Sequence, residues 1–571
     1  MDKWIIIPAL AVLVLLAGCV APDPDQDISF PPSDELLSLA LEETRLAVHP
    51  GIPGETAFWN TYAERFIYAP AFDFQETESA ENYRFSLVHD GASDTLTFIA
   101  DKPWAPLSPV WDKVETGSVK LLVEALENGH VIAKSGEMEF YRASPYRGPY
   151  YTKDMDYSES AGKLFRYLYQ SPYIQYWEKH GKPDPEYGLY SYPAKMFSAV
   201  VSGMLLFHEL TDDPLEKETA ISIAVNTADY LMQISEPADR PLEYFPPTYT
   251  GPIYADMDKV YRGESLADRM MLIYPASAGQ VYLDLFNRTG DRKYFDAALR
   301  IAETYRKIQL ENGTWHLLVY LADGEPVTGN YVVPTGVIGF LDRISEEYRQ
   351  FGFTDCATRA LAWIGENLVR DFNWEGQFED QKPADRYKNL SKGQACSYAL
   401  RLFDSADQDP NLVSEAEELI RFAEDQFVIW ENPVAGDYWG IKSEDWITPC
   451  VLEQYNFYTP VNTSSASMIN VYRTAYDKTG KILYLAKALD LANTLLHVQD
   501  AISGHYPTYL VSNLLDQEGW INCMVYTART IMELDEYLKE ISPDKEILFP
   551  TGPNWNVVPA CVPKLAIRGM H

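Results

Sequence analysis

Cysteine is scarce. The 571 residues include six, Cys19, Cys356, Cys396, Cys450, Cys523 and Cys561, widely separated and with no Cys-x-x-Cys spacing. That excludes a disulfide framework and a zinc ribbon. The odd number left after Cys19 points to buried free thiols, with room for a single bridge. Histidine is also thin, nine residues without a His-Glu-x-x-His pair. A Gly-rich phosphate loop and a Gly-x-Ser-x-Gly elbow are missing, so zincin, nucleotide-phosphate and serine-hydrolase chemistries lack their signatures. The stretch "ADMD" (Ala255 to Asp258) brings two carboxylates that suit Ca²⁺ but lacks the remaining ligands of an EF-hand loop. No metal and no cofactor are expected. Basic residues are outnumbered, 47 Lys and Arg against 83 Asp and Glu, for a formal net charge of −36. A surface of that sign repels phosphate backbones and anionic head groups, which argues against nucleic acid as a partner and otherwise speaks for solubility.

Long apolar runs are missing too, apart from one at the start. Lys3 precedes an apolar stretch from Trp4 to Ala17. It is too short to span a bilayer as a stable helix and suits the core of a signal peptide. It ends in Leu16-Ala17-Gly18-Cys19, which resembles the prokaryotic lipoprotein lipobox. The resemblance implies a signal peptide over 1–18, cleavage before Cys19 and a lipid on the Cys19 thiol. Membrane lipid is then a partner, and the body is anchored at a cell membrane facing outward, extracellular or periplasmic. A Pro/Asp-rich tether, "VAPDPDQD", opens the lead-in over 19–50.

What the chain does have falls into two bodies. Residues 51–150 read as β. "NYRFSLVHD" (Asn82 to Asp90) alternates Tyr83, Phe85 and Leu87, and "DTLTFIAD", "GSVKLLVEAL" and "GEMEFYRA" continue the rhythm. Asp90-Gly91 and Asn128-Gly129 lie between the runs where hairpins need them. Several short strands at this spacing suggest a sandwich, and "PAFDFQETESAENYRFSLV" (Pro70 to Val88) resembles the opening of a fibronectin type III domain. That resemblance implies a scaffold rather than a chemistry.

Over 151–541 amphipathic helices take over. The pattern predicts Tyr157–Gln170 alone, then the pairs Lys195–Leu210 with Leu215–Ile234, Asp268–Arg288 with Lys293–Gln309, Val333–Gln350 with Asp355–Arg370, Ser391–Asp404 with Leu412–Ile429, and Thr463–Lys478 with Ile482–Val498. A last helix runs from Trp520 to Glu540, and 542–571 form a C-terminal extension. "TGDRKYFDAALRIAETYRKIQ" (Thr289 to Gln309) aligns with "TGKILYLAKALDLANTLLHVQ" (Thr479 to Gln499), sharing Thr, Gly, Tyr, Ala, Leu, Ala, Thr and Gln at equal offsets. Repeated pairs must stack to bury their faces. An unpaired first helix and an unpaired last one favour a closed ring, each supplying the other's partner. The arrangement resembles the (α/α)6 toroid of the six-hairpin glycosidase superfamily. The expected fold is therefore multidomain, a small β-sandwich followed by an all-α toroid.

Turns within pairs are short, whereas connections between pairs are long and aromatic, and in an up-and-down ring the latter gather at one end. Long loops on a rigid scaffold are where binding and catalysis concentrate. Tyr244, Trp315, Trp374, Tyr387, Trp439, Trp446, Tyr455, His505 and Trp520 are read as substrate-binding, flat rings suited to the apolar faces of sugars. Glycoside hydrolysis needs two carboxyls across the scissile bond, one protonated and one ionised. Among the loop carboxylates, Asp445 and Glu379 are chosen as catalytic, with Glu453 third; Asp380, Glu375 and Glu444 are neighbours. In "SEDWITPCVLEQYNFYTPV" (Ser443 to Val461), Thr448-Pro449 reads as the cap and first residue of a short helix that Pro460 ends. The leading expectation is a carbohydrate-active, glycoside hydrolase-like enzyme. One alternative is a uronic acid epimerase or polysaccharide lyase. It follows from a resemblance to the helical domain of glucuronyl C5-epimerases and would use Tyr261, Arg262, Arg269, Tyr274, Arg386 and Tyr387. Another is a non-catalytic glycan-binding lipoprotein.

Overall fold

The computed structural model describes residues 30–89, 94–250, 266–432, 434, 437–438, 441–517 and 519–543. The signal segment, Cys19, Tyr261, Arg262 and Trp439 lie outside them.

Helix α1 (Ser33–Glu43) leads into five strands, β1 (Arg65–Phe66), β2 (Asn82–His89), β3 (Thr95–Ala100), β4 (Gly117–Glu127) and β5 (His130–Arg142). The alternation read along them is real: Tyr83, Phe85 and Leu87 of β2 are buried, as are Val119, Leu121, Val123 and Ala125 of β4. The described strands nevertheless make one sheet, in the order β1-β5-β4-β2-β3, where a fibronectin-type sandwich has two. The second layer is irregular chain: Phe72, before β2, and Trp111, after β3, pack on Phe140 of β5. Alternation reports that one face is covered, not what covers it.

The helices follow: α2 (Tyr157–Gln170), α3 (Pro172–His180), a short helix the pattern does not predict, then α4 (Pro193–Leu210) and α5 (Pro214–Ile234). Then come β6 (Arg269–Met271), α6 (Pro275–Thr289), α7 (Arg292–Ile308), β7 (Leu318–Tyr320), α8 (Thr335–Glu346) and α9 (Thr354–Trp363), which winds on as a π-helical turn over Ile364–Val369. The series continues with α10 (Lys392–Ser405), α11 (Asn411–Phe427), β8 (Val428–Ile429), β9 (Asp437–Tyr438), β10 (Ile441–Lys442), β11 (Cys450–Gln454), β12 (Phe457–Pro460), α12 (Asn462–Thr479), α13 (Ile482–Val498) and α14 (Ile521–Ile541). Local chemistry starts several of them. Asp213 caps α5 through the Leu215 amide at 2.8 Å, with Pro214 at the first helical position, and Asp291 caps α7 through the Lys293 amide at 3.0 Å.

Helices α4, α6, α8, α10, α12 and α14 pack each on the next, and α14 returns to α4, so the inner ring is closed. Outside it lie α5, α7, α9, α11 and α13, each against its inner partner, and α2 packs against α14. The lone first and last helices thus complete one another as expected. Inner helix α4 is buried over most of its surface, through Met196, Phe197, Val200, Val201, Met204 and Phe207; outer helix α7 buries one stripe and leaves the rest to water. Among the described residues no helix is long and apolar enough to cross a membrane.

Two expectations fail locally. The second inner helix begins at Pro275 rather than Asp268, because Arg269–Met271 pair with Leu318–Tyr320 as a two-stranded ribbon. The stretch "PCVLEQYNFY" is a hairpin, not a helix: β11 pairs with β12 on one side and with β8 on the other. Cys450, Val451 and Leu452 are all buried. A continuous apolar run buried on both faces suits a central strand, and periodicity alone does not separate it from a helix.

The sheet is bolted to the ring. Arg65 of β1 donates to the Asp425 and Val428 carbonyls at 2.7 and 3.1 Å, and the amides of Ile67 and Tyr68 donate to the Asp425 carboxylate at 2.5 and 2.7 Å. One continuous apolar core runs through both bodies.

Candidate functional site at the N-terminal mouth of the inner ring

All inner helices begin at the same end of the ring, where the long connections converge. Their first turns direct unpaired N–H groups and the positive ends of their dipoles into the mouth, an environment that favours carboxylates. Three carboxylates arrive there from two neighbouring connections. Glu379 and Asp380 sit between α9 and α10, and Glu453 sits on β11. Two lysines meet them from helix starts, Lys195 in the first turn of α4 and Lys392 as the first residue of α10.

Glu379 lies at the base, 0% exposed. One oxygen accepts from Lys195 Nζ at 2.6 Å and the other from the Tyr274 hydroxyl at the cap of α6. Its carbonyl accepts from the Tyr249 hydroxyl at 3.0 Å. Burial works against the charge of Lys195, but Glu379 and then Asp380 outweigh it and hold the ammonium protonated. The same ammonium lies 4.6 Å from the centroid of the Trp520 ring, and Trp520 stacks on Tyr192 at 5.6 Å.

Asp380 and Glu453 are the half-buried carboxylates of the mouth. Burial, then the charge of Glu379, pushes Asp380 up to about 7, against the pull of Lys195. Burial also raises Glu453 above the usual carboxylate range; Lys392 and Lys195 oppose this and Glu379 adds to it. Lys392 is pushed down to about 8 by burial, with Glu453 opposing, and its Nζ donates to the Glu453 carbonyl at 3.0 Å beside the Ser391 hydroxyl at 2.9 Å. The Tyr509 phenol, pushed up to about 12 chiefly by burial, also senses Glu453 and Asp380. Among the described residues no group of three or more His, Cys, Asp or Glu side chains is arranged to hold a metal ion.

Of the residues chosen from the sequence, Glu379, Glu453 and Trp520 come together here. Asp445 does not join them: its carboxylate accepts from Ser512 and Asn513 at 3.2 and 3.1 Å and ties two loops together at a half-buried position. Trp446 bridges to Val511 in the same seam. Trp315 and Trp374, both 0% exposed, are plugs of the barrel end: the Trp315 indole donates to the Tyr305 carbonyl at 2.9 Å, and Trp374 stacks on Tyr398. Tyr387 hydrogen-bonds the Asp371 carbonyl and lies on Tyr62, while the Tyr244 ring faces Arg300 of an outer helix. Tyr455 donates to Gln426 at 2.7 Å. His505 lies behind the Trp520 segment, against Tyr167. The physical reason is common to all of these: a barrel end must be capped, and large rings do that best when buried. Of the epimerase set only Tyr274 reaches the mouth among the described residues. Arg386 pairs with Asp371 at 2.7 Å, Arg269 lies over Tyr320, and the Tyr274 hydroxyl is committed to Glu379.

The choice from sequence passed over Asp380, Lys195 and Lys392. A signal for the lysines exists. A cation in the first turn of a helix opposes the dipole, and "YPAKMF" and "LSKGQ" each place one directly after a helix start in a chain poor in basic residues. Such a lysine needs an acidic partner.

No family model matches the chain, and no curated protein matches it. Solved structures do. Cellobiose 2-epimerase from Spirochaeta thermophila DSM 6192 superposes with a TM-score of 0.48 at 12% identity, over 68% of this chain and 96% of its own. D-mannose isomerase gives 0.47 at 13%, over 68% and 100%. A family 76 glycoside hydrolase from a bovine Bacteroides thetaiotaomicron strain gives 0.44 at 8%, over 82% and 99%.

Proposed function

We propose that the protein hydrolyses glycosidic bonds of a poly- or oligosaccharide at the mouth of the ring, with Asp380 as general acid and Glu453 as the opposing carboxylate. The observation that carries this is the pairing of two half-buried carboxylates from adjacent connections, both held above the usual range, beside the Trp520–Tyr192 stack. An acid titrating near 7 keeps a proton at neutral pH for the departing oxygen, and the second carboxylate acts on the other face of the sugar. Lys195 and Tyr274 engage both oxygens of Glu379, and the charge of Glu379 adds to burial in holding Asp380 above the usual range. Trp520 supplies the flat apolar surface on which a sugar ring rests. Lipid attachment at Cys19 would hold this mouth outside a cell membrane, and loss of a metabolically incorporated lipid label in Cys19→Ser tests that part.

The test of the reaction is release of reducing ends from a panel of neutral and uronate glycans. Asp380→Asn and Glu453→Gln should each lower turnover on the order of 10²- to 10⁴-fold, and Asp445→Asn should leave it unchanged. Full turnover in both mouth variants defeats the assignment. Ultraviolet absorbance of an unsaturated uronate would instead reveal a lyase, and binding without turnover a scaffold. The pH profile should fall on the alkaline side near 7 as Asp380 loses its proton, and on the acid side as Glu453 gains one.

A further inference from the structure

A cavity of about 1170 Å³ lies immediately behind the Trp520 segment, between the C-terminal end of α2, the start of α3 and the loop that follows α13. That exceeds the roughly 300–1,000 Å³ of ordinary small-molecule pockets. Only one short segment separates it from the mouth. The Gly519 carbonyl accepts from the Tyr187 hydroxyl at 2.8 Å, and a Cβ on Gly519 would stand 3.0 Å from His505 Nε2. Trp520 faces the mouth and His505 lines the cavity, so the two are opposite sides of one wall.

Three observations define what the cavity takes. Its wall carries an aromatic pair, Tyr167 and His505, with centroids 5.1 Å apart. His505 is 8% exposed, and its Nε2 is buried against Gly519 with no hydrogen-bond partner among the described residues, so the imidazole presents its ring rather than a polar atom to the cavity. The lining is dense in polar groups, and among the described residues its lysine and arginine are paired. Lys163 is paired with Glu159 at 3.0 Å and Arg166 with Glu216, while Asp184, Glu186, Asp500 and Asp516 add negative charge. Aromatic faces with many neutral and acidic acceptors suit a polyhydroxylated, uncharged ligand; an anionic one meets like charge, and the one guanidinium of the described lining, Arg166, is paired with Glu216.

We propose that this cavity is a second saccharide site, which holds a further stretch of a neutral glycan chain whose reacting bond lies across the Trp520 wall. The substrate is then an uncharged oligo- or polysaccharide rather than a uronate polymer. The inference rests on the carbohydrate reading of the mouth, and its test separates the two.

The experiment is calorimetric titration of the full chain carrying Asp380→Asn with mannohexaose, cellohexaose and maltohexaose, the corresponding disaccharides, and hexagalacturonate. At least one neutral hexasaccharide should bind more tightly than its disaccharide. Tyr167→Ala, which removes the ring, and Gln170→Trp, which fills the cavity from an exposed helix position, should each weaken it by about tenfold or more. Hexagalacturonate should not bind. The inference is overturned if no neutral hexasaccharide binds, if both variants keep the parent affinity, or if hexagalacturonate is preferred. If Asp380→Asn retains full turnover while Tyr167-dependent binding persists, the catalytic assignment falls and the second site stands.

Discussion

Helix pairs α6–α7 and α12–α13 are one unit placed in two surroundings. The shared positions do the same work in both. Gly290 and Gly480 end the inner helices in the left-handed conformation, and each amide returns to a carbonyl of the last turn, Phe286 at 2.8 Å and Tyr476 at 2.8 Å. Thr289 and Thr479 bond back to Leu285 and Ala475. Gln309 ends α7 and donates to the carbonyls of Gly313 and Cys356 at 2.7 and 2.8 Å; Gln499 ends α13 and donates to Gly504 and Ser160 at 2.8 and 3.0 Å. The differing positions tell another story. Arg300, Glu303 and Arg306 of α7 are exposed, whereas their counterparts Asp490, Asn493 and Leu496 of α13 are buried. The end of the N-terminal body and the chain leading into α2 cover α13: Tyr146 and Tyr150 bond to Asp490 at 2.5 and 2.8 Å, and Tyr157 and Tyr151 to Asn493 at 2.8 and 3.0 Å. Shared residues build the ring; unshared ones record what lies on it.

The largest effect expected from this contrast is at Lys487. It is 1% exposed on α13, and its ammonium lies 2.8 Å from Glu43 of α1 and 2.7 Å from Glu424 of α11. The matching residue of α7 is Ala297. Lys487→Ala therefore writes the α7 residue into α13 and leaves Glu43 and Glu424 without the ammonium between them. Removal of one member of a buried ionic cluster costs about 3–5 kcal/mol, read as a lowered urea midpoint. Glu303→Ala, at an exposed position of α7, should stay within about 0.5 kcal/mol. A loss below about 1 kcal/mol for Lys487→Ala would mean that α1 is not held through this cluster.

A second difference appears with pH. Burial raises Asp490 to about 7, against the lowering effect of the bonds from Tyr146 and Tyr150, and it raises Asp425, at the Arg65 contact, to about 7 as well. An acid whose folded pKa is raised binds more protons folded than unfolded. Its contribution is complete below the unfolded value of 3.8 and is lost as pH rises through about 7. The seam between sheet and ring should weaken from about pH 5 to pH 8. Urea midpoints across that range should decline in the wild type and decline less in Asp490→Asn. Equal slopes in the two proteins would show that Asp490 does not titrate there. The α7 face has no counterpart, because Arg300 is exposed.

Legibility followed the same division. The closed ring was readable because helix count and loop rhythm are properties of the repeat, carried by residues such as Gly290, Thr479 and Gln499. The β11–β12 hairpin was not, because Cys450, Val451 and Leu452 are buried on both faces, and a short apolar run carries no period of its own. The cover of the sheet was illegible for a related reason: Phe72 and Trp111 reach Phe140 from irregular chain. At the mouth, Glu379 was found from its connection, but Asp445, equally acidic and on an equally long loop, serves a loop seam instead. Loop position narrows the carboxylates to those at one end of the ring; only the lysines at helix starts tell which of them are gathered on the axis.

The smallest effect is also the sharpest test of the shared unit. Gln309 and Gln499 each spend one side-chain amide on two carbonyls, one in their own following loop and one in the first turn of the next outer helix, α9 or α2. In both loops the bonded glycine has positive φ, +95° at Gly313 and +81° at Gly504, and a Cβ there would strike the Arg359 or Lys163 carbonyl. The two carbonyl bonds are common to both, and Gln499 Oε1 also accepts from the Ser160 hydroxyl at 2.6 Å, so Gln499→Ala should exceed Gln309→Ala by about that one bond. Two modest hydrogen bonds at about 0.5–1.5 kcal/mol apiece set the scale. The same glycine clash predicts that Gly313→Ala and Gly504→Ala each exceed the cost of the neighbouring glutamine variant, since backbone rather than a movable side chain stands in the way. If Gln499→Ala costs several-fold more than Gln309→Ala, the N-terminal body contributes to the turn itself, and the division between ring-building residues and covered residues would have to be redrawn at that position.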